Sequence, residues 1–357
     1  MRGCERLTLL TLACFLTAFG YVSLGPFPRI VRSRMYSSRN TKGMVLMSDD
    51  IRSQLPDPET LAFKTLDQCA PLSDVFGASI KGKVAIVTGG ATGLGFNVVN
   101  RLAEAGCRVV IACRNETRGT AAVDVLRQRG YDVSYCQTDV MKVDDCYAAV
   151  DFAVKTYGNV DILVNDAAVW DEMAYLDVTE QVWDRVIDTD LKGSYFMGQA
   201  VARNMVANKT KGKIVFISSA ARLGECIRSL GMLSFYQAAK AGVAGMIADI
   251  AGELKQYGIN VNCVAPGGML THGCFFEGWE NQAKYGDEYK EIKNAHAYDT
   301  PLAYNPDAVA LAVFAMCTPM SDYMNGSIVD VNGGALLITQ SKPFSINVDG
   351  CIPGPQA

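Results

Sequence analysis

Lys83-Val84-Ala85-Ile86-Val87-Thr88-Gly89-Gly90-Ala91-Thr92-Gly93-Leu94-Gly95 decides how this chain folds. The apolar run Val84–Val87, flanked by polar residues, reads as a buried parallel strand. The glycines follow at once, and Phe96 to Ala105 then place apolar residues at helical spacing. Strand, glycine turn and helix together aim backbone N–H groups and a helix N-terminus at a phosphate. The spacing is Gly-x-x-x-Gly-x-Gly rather than the more familiar Gly-x-Gly-x-x-Gly. An ordinary strand–helix turn that uses glycine for positive φ is the competing reading.

The next strand bears on which dinucleotide such a turn would take. Arg108-Val109-Val110-Ile111-Ala112 runs into Cys113-Arg114-Asn115. A site selecting NAD usually has a carboxylate near this strand end, to accept from the ribose hydroxyls. Here Arg114 offers a guanidinium that can pair with the 2′-phosphate of NADP. A plain solvated charge is the alternative for Arg114, and Thr92 stands where a second basic residue would have strengthened the case.

Much further along, Tyr236 and Lys240 stand four residues apart in Tyr236-Gln237-Ala238-Ala239-Lys240. On a helix that spacing puts them on one face. A free tyrosine ionises near pH 10 and is a poor base at neutral pH. An ammonium about 4 Å away contributes on the order of 4 kcal/mol at an effective dielectric near 20, before desolvation. That corresponds to roughly three pKa units. A Tyr–Lys pair that merely decorates a surface helix is the bland alternative.

Taken in order, these motifs resemble the short-chain dehydrogenase/reductase family. The resemblance runs from about Lys81 to Leu337. It takes in Thr88–Gly95, Asp139-Val140 after the third strand, and Asp161-Ile162-Leu163-Val164-Asn165 as the fourth. Ile214-Val215-Phe216-Ile217-Ser218-Ser219 matches the fifth. The Tyr-x-x-x-Lys pair, Asn262-Cys263-Val264-Ala265-Pro266-Gly267 and Val331-Asn332-Gly333-Gly334 follow. The resemblance implies an α/β fold, a single Rossmann-type doubly wound parallel sheet with helices on both faces. It implies Tyr236 as general acid/base, Lys240 as the group that lowers its pKa and holds the nicotinamide ribose, and Ser219 as the hydrogen-bond partner of the substrate oxygen. Cofactor contacts carried over by position are Thr88, Gly89, Gly93, Leu94, Gly95, Arg114, Asp139, Val140, Asn165, Ala167, Pro266, Gly267 and Thr271, together with Tyr236 and Lys240. The cofactor expected is NADP, with NAD the alternative. The expected assembly is a homodimer or homotetramer acting on a small carbonyl or alcohol.

The chain also departs from the family pattern. The gap between Ser219 and Tyr236 is longer than usual, the extra residues falling within Arg222–Met232. The family usually shows Asn-Asn-Ala-Gly after the fourth strand, and this chain has Asn165-Asp166-Ala167-Ala168. Ala168 adds a methyl where the nicotinamide half of a cofactor passes. The family places an Asn in Asn-Leu-x-Gly before the fifth strand, where it helps hold a water that links the Lys to solvent. Here the segment is Asp190-Leu191-Lys192-Gly193. Asp190 keeps the backbone carbonyl, joins the expected catalytic group, and favours the charged form of Lys240.

Composition suits a soluble enzyme rather than a nucleic-acid binder. The 357 residues carry a formal net charge of −4 and no basic stripe. Twelve Cys lack metal or redox spacing. Cys107, Cys113, Cys136 and Cys263 read as buried small apolar residues in a reducing compartment. No metal site is expected. His272 and His296 fall in a late loop.

Strands are expected to alternate with helices at Phe96–Ala105, Thr117–Arg129, Val143–Tyr157, Thr179–Ala207, Phe235–Gln256 and Asp307–Met316. The catalytic domain is expected over 81–340, after a leader at 47–80 and before a tail at 341–357. Residues 1–46 hold the apolar run Leu7–Leu24 behind Arg2 and Arg6. They read as a targeting or anchoring segment, plastid-directed or membrane-bound, or as a spurious extension ahead of a cytoplasmic protein that starts near Met47. Residues 268–305 are long for a connection and are expected to form a substrate lid. Its aromatics Phe275, Phe276 and Trp279, with Trp170 and Met173 from the other side, suit a bulky, flat, steroid- or flavonoid-like ketone. Reduction of 3-oxoacyl groups on acyl-carrier protein is the alternative. A nucleotide-binding protein without turnover stays open because of Asp190 and Ala168.

Overall fold

The computed structural model describes residues 79–224, 233–269, 271 and 305–333. The segment 1–46, the leader, nearly all of the expected lid with His272, Phe275, Phe276, Trp279 and His296, the inserted residues 225–232, and the tail lie outside the described residues.

Seven parallel strands form one sheet in the order β3-β2-β1-β4-β5-β6-β7. They are β1 (Val84–Thr88), β2 (Arg108–Cys113), β3 (Val133–Gln137), β4 (Ile162–Asn165), β5 (Lys213–Ile217), β6 (Asn260–Pro266) and β7 (Ile328–Val331). The crossover helices are α1 (Gly93–Glu104), α2 (Glu116–Gln128), α3 (Val143–Tyr157), α4 (Glu180–Val186), α5 (Ser194–Ala207), α6 (Ser234–Leu254) and α7 (Pro306–Met316). All five residues of β1 are buried, as a strand covered on both faces requires. Its alternate side chains serve two cores. Ala85 and Val87 face α1, α2 and α7, while Ile86 faces α3, α5 and α6. Each fully buried Val or Ile contributes about 1.5–3 kcal/mol by leaving water.

The expected elements are present with ends shifted by a few residues, and one differs in kind. Thr179–Ala207 was expected as one regular helix. It is α4 and α5 joined by a π-helical segment, Ile187–Gly193. Such widened turns place backbone and side chains where a regular helix would not, and Asp190 sits inside this one.

The packing of α1 is fixed from a distance. Arg101, on its last turns, is 1% exposed and forks onto Asp307 of α7, Nε to Oδ1 at 2.8 Å and Nη2 to Oδ2 at 2.6 Å. A third bond reaches Glu104 at 2.9 Å. Asn305 caps α7 by accepting the Asp307 N–H at 2.9 Å, with Pro306 preset for the first turn.

The strand order reverses between β1 and β4. In an open parallel sheet, ligands bind beyond the carboxyl ends of the strands at that point. Register brings Thr88, Ala112, Asn165 and Phe216 into line there. Ile217 and Val264 extend the same edge.

Candidate active site

At the switch point the β1–α1 turn is shaped by what glycine lacks. Gly89 and Gly93 have φ of +67° and +57°, where a side chain is strained. A Cβ on Gly95 would sit 2.5 Å from the Gly89 carbonyl oxygen, so the helix closes on its own turn there. Thr92 precedes α1 with no side-chain cap, and the first turn holds no acid. That leaves a helix terminus of uncapped polarity and a cradle any side chain would fill, which fits a dinucleotide pyrophosphate.

Thr88 and Asn165 support this turn from behind. Both are buried, and Thr88 Oγ1 donates to Asn165 Oδ1 at 3.1 Å. The same oxygen accepts the N–H groups of Asp166 and Ala167 at 2.9 and 3.0 Å. The structure therefore places these two residues as supports of the turn, with their side chains consumed by the protein. Gly89 packs on the Ala167 backbone, with Leu94 buried next to the turn. Thr271 meets Gly93 from the other side, its Cβ 3.5 Å from where a Gly93 Cβ would lie.

Asp139 accepts the Met141 N–H at 3.2 Å, and buried Val140 packs on Gly193. Pro266 ends β6, and the Gly267 N–H reaches the Val331 carbonyl at 3.0 Å. Arg114 is exposed at the end of β2, and its guanidinium makes no ion pair among the described residues. Arg118 stands on the first turn of α2, near enough to Cys113 to bear on its thiol. Sequence reading passed over Arg118, although Asn115-Glu116-Thr117-Arg118 carries a helix-start signature. Cys113 and Cys136 are only partly buried, a correction to their reading as core residues, whereas Cys107 and Cys263 are buried.

The other half of the site stands on α6. Lys240 is 2% exposed, and its Nζ lies 5.6 Å from the centre of the Tyr236 ring. Nζ donates to the Ile217 carbonyl at 3.2 Å and makes an ion pair with Asp190 Oδ2 at 3.2 Å. The latter is a charge contact rather than an aligned hydrogen bond. Asp190 Oδ1 accepts the Val169 N–H at 2.8 Å. Burial works against the Lys240 charge, but Asp190, Tyr236 and Asp166 outweigh it and raise the ammonium to about 12.

Ser219, partly buried at the end of β5, uses its Oγ to accept the Ala221 N–H at 3.1 Å, which fixes its turn. Arg222 forks onto Asp330 of β7 with two bonds of 2.8 Å and anchors that turn to the sheet. Trp170, from the β4 side, lies 6.3 Å from the Tyr236 ring, tilted by 46°. Met173 packs on the cluster around Phe235. Ala168 is exposed.

Two further residues escaped the sequence reading. Ser218 Oγ donates to the Lys240 carbonyl at 2.7 Å, tying β5 to the turn of α6 that carries Lys240. The Ser194 carbonyl accepts from Asn165 Nδ2 at 2.7 Å, and its hydroxyl donates to the Asp190 carbonyl at 2.7 Å. That Asp190 carbonyl, which the family resemblance assigns to a water link, has Ser194 as one partner here. Ser218 gave no signal beyond its place beside Ser219, and Ser194 gave none. Among the described residues there is no group of three or more His, Cys, Asp or Glu placed to hold a metal, and no helix is long and apolar enough to cross a membrane.

Comparison with known proteins agrees with this geometry. The profile described as short chain dehydrogenase matches residues 83–274. The chain is 33% identical to 2-dehydro-3-deoxy-D-gluconate 5-dehydrogenase of Escherichia coli (strain K12), covering 72% of this chain and 97% of that one. It is 34% identical to the 3-oxoacyl-(acyl-carrier-protein) reductase FabG of Chlamydia muridarum, over 71% of this chain and 96% of the other. The crystal structure of a single-residue variant of the actinorhodin polyketide ketoreductase with NADPH superposes with a TM-score of 0.65 at 28% identity, covering 71% of this chain and 97% of that one.

Proposed function

The chain belongs to the short-chain dehydrogenase family, oxidoreductases of alcohol and carbonyl groups that use NAD(P), and from that premise we propose that it interconverts a bulky apolar ketone and its secondary alcohol with NADP(H). The observation that carries this reading is the buried Lys240, kept as an ammonium by Asp190 beneath the partly exposed Tyr236 ring. A phenol beside a fixed positive charge can exchange a proton near neutral pH.

In the direction of reduction, Tyr236 Oη gives its proton to the carbonyl oxygen while Ser219 Oγ holds that oxygen in place. In the direction of oxidation the phenolate takes the proton from the alcohol. Lys240 supplies the field that makes both steps accessible, and Ser218 and Ile217 hold Lys240 where that field is felt. A dinucleotide bound here would supply or accept the hydride. Gly89, Gly93, Leu94 and Gly95 would seat its pyrophosphate, with Thr271, Pro266 and Gly267 on the nicotinamide side and Asp139, Val140 and Ala167 between. Arg114, with no carboxylate among Cys113, Arg114 and Asn115 at the strand end, would take the 2′-phosphate of NADP, and Arg118 stands close enough to assist.

Trp170 supports an apolar ring substrate, because its indole flanks Tyr236 where the ketone must approach. The test is NADPH oxidation with a polycyclic ketone, a small ketone and a 3-oxoacyl thioester, in the parent and in Trp170→Ala. The variant is expected to raise KM for the polycyclic ketone more than for the small one, since a buried ring gains about 25 cal/mol per Å² of apolar contact. A clear preference for the thioester would select reduction of carrier-bound 3-oxoacyl groups, the reading that the Chlamydia relative favours. A homodimer or homotetramer completes the reading, supported by Trp183 and Tyr195, large and exposed on α4 and α5.

A further inference from the structure

Asp166 places a carboxyl where the reading above uses none. It follows β4, and its N–H is pinned to Thr88 Oγ1 at 2.9 Å. Its side chain turns toward Gly95 in the first turn of α1, with Oδ2 2.8 Å from the point a Cβ there would occupy. The residue after β4 thus brings a carboxyl against the same helix terminus that a pyrophosphate needs.

The contact has a second oxygen in it. Asp166 Oδ2 lies 2.8 Å from the point a Cβ on Gly95 would occupy, and the Gly89 carbonyl oxygen lies 2.5 Å from that point. An ionised carboxylate can only accept, so it gains nothing from a carbonyl oxygen on the same side of Gly95. A protonated carboxyl can accept with one oxygen and donate an O–H from the other, as an amide can. The pyrophosphate adds negative charge at the same terminus, and two anions sharing one site cannot both ionise cheaply.

We propose that Asp166 is a further cofactor-site residue, whose carboxyl is protonated when the dinucleotide is seated, so that binding draws a proton from solvent onto a carboxylate oxygen. The proposal rests on the glycine turn being the dinucleotide site. The surrounding charges agree with it. Burial raises the Asp166 carboxyl, Lys240 of α6 and the Gly95 N–H oppose that, and Asp190 of the π-helical segment adds to it, for a value of about 7. The first turn of α1, Gly93-Leu94-Gly95-Phe96, carries no charge, and Tyr236 is the further titratable group beside Lys240.

The sign follows from linkage. Above about pH 7 the free protein holds Asp166 ionised and must take up the proton to bind. Affinity therefore falls by up to about tenfold for each further pH unit. The test is fluorescence titration of the full chain with NADPH from about pH 6 to about pH 9, for the parent and for Asp166→Asn. The amide keeps the shape, offers an acceptor and a donor as the protonated carboxyl does, and cannot ionise, so its affinity is expected to lack that fall. Ionisation of the 2′-phosphate is common to both proteins and cancels. Calorimetry near pH 8 in two buffers of different ionisation enthalpy is expected to show most of one proton taken up by the parent and none by the variant. Parallel pH curves, or no uptake by the parent, overturn the proposal and leave the dinucleotide site standing. Failure of the parent to bind dinucleotide at any pH overturns the site itself and this inference with it.

Discussion

At the β1–α1 side of the sheet edge the site is made of backbone, and at the β5–α6 side it is made of charge. The first is three glycines and a helix terminus, held from behind by the Thr88 hydroxyl and the Asn165 amide. The second is an ammonium 2% exposed with Asp190 against it. The difference teaches that the two halves should fail differently. The turn has no side chain to lose, so it fails by crowding. The α6 half works through charged and titratable side chains and fails by losing a proton or a field.

The sharpest break is on the α6 side. Tyr236→Phe is expected to lower kcat by about 10²–10⁴-fold, since it removes the group proposed as general acid/base. Dinucleotide affinity, measured by fluorescence, is expected to stay close to that of the parent. Full activity in this variant would remove the mechanism. On the turn side, Gly95→Ala is expected to do the reverse. Its Cβ would meet the Gly89 carbonyl at 2.5 Å, backbone against backbone. Overpacking of that kind costs about 1–3 kcal/mol, so dinucleotide affinity is expected to fall about tenfold or more and Tm to drop. An alanine variant that binds NADPH normally would show that the cradle yields.

A milder effect tests how far charge reaches on the cofactor side. Arg114→Ala is expected to raise the KM for NADP about tenfold and leave NAD nearly unchanged, the loss of one charge-assisted pair. Equal use of both dinucleotides by the parent would argue against Arg114. The smallest effect sharpens the α6 side. Asp190 helps hold Lys240 at about 12, so the ammonium persists at working pH, yet its own negative charge opposes loss of the phenol proton. Asp190→Asn is expected to move the acidic limb of the alcohol-oxidation profile down by about one pH unit. An unchanged profile would mean that the carboxylate is not felt at Tyr236.

The backbone half was easy to read ahead of the structure, and the charged half was not. Val84–Gly95 announces strand, turn and helix in consecutive residues. The seven strands follow because local apolar runs and a crossover pattern suffice to order them. What escaped was made by contacts between distant residues. The widened turn at Ile187–Gly193 leaves no periodic trace, because Ser194 binding the Asp190 carbonyl and Gly193 pressed on Val140 help shape it. Asp166 was visible as a departure, but its meeting with Gly95 joins strand β4 to helix α1 and has no local signature. Ser218 and Ser219 are indistinguishable as letters. Only the fold shows that one hydroxyl is spent on the Lys240 carbonyl, whereas the other caps its own turn at the edge of the site.

The buried fork from Arg101 to Asp307 spans 206 residues of chain. During synthesis the glycine turn leaves the ribosome early, and the helix behind it carries a guanidinium that has no Asp307 to meet until α7 is made. Removing one member of such a pair costs about 3–5 kcal/mol, and contacts this remote in sequence form late. A nascent chain that ends after β6 therefore has every residue of the dinucleotide turn and lacks the anchor that makes it rigid. Rigid seating of the turn is expected only once α7 has been made, so dinucleotide capture by stalled chains of increasing length would report when that anchor forms.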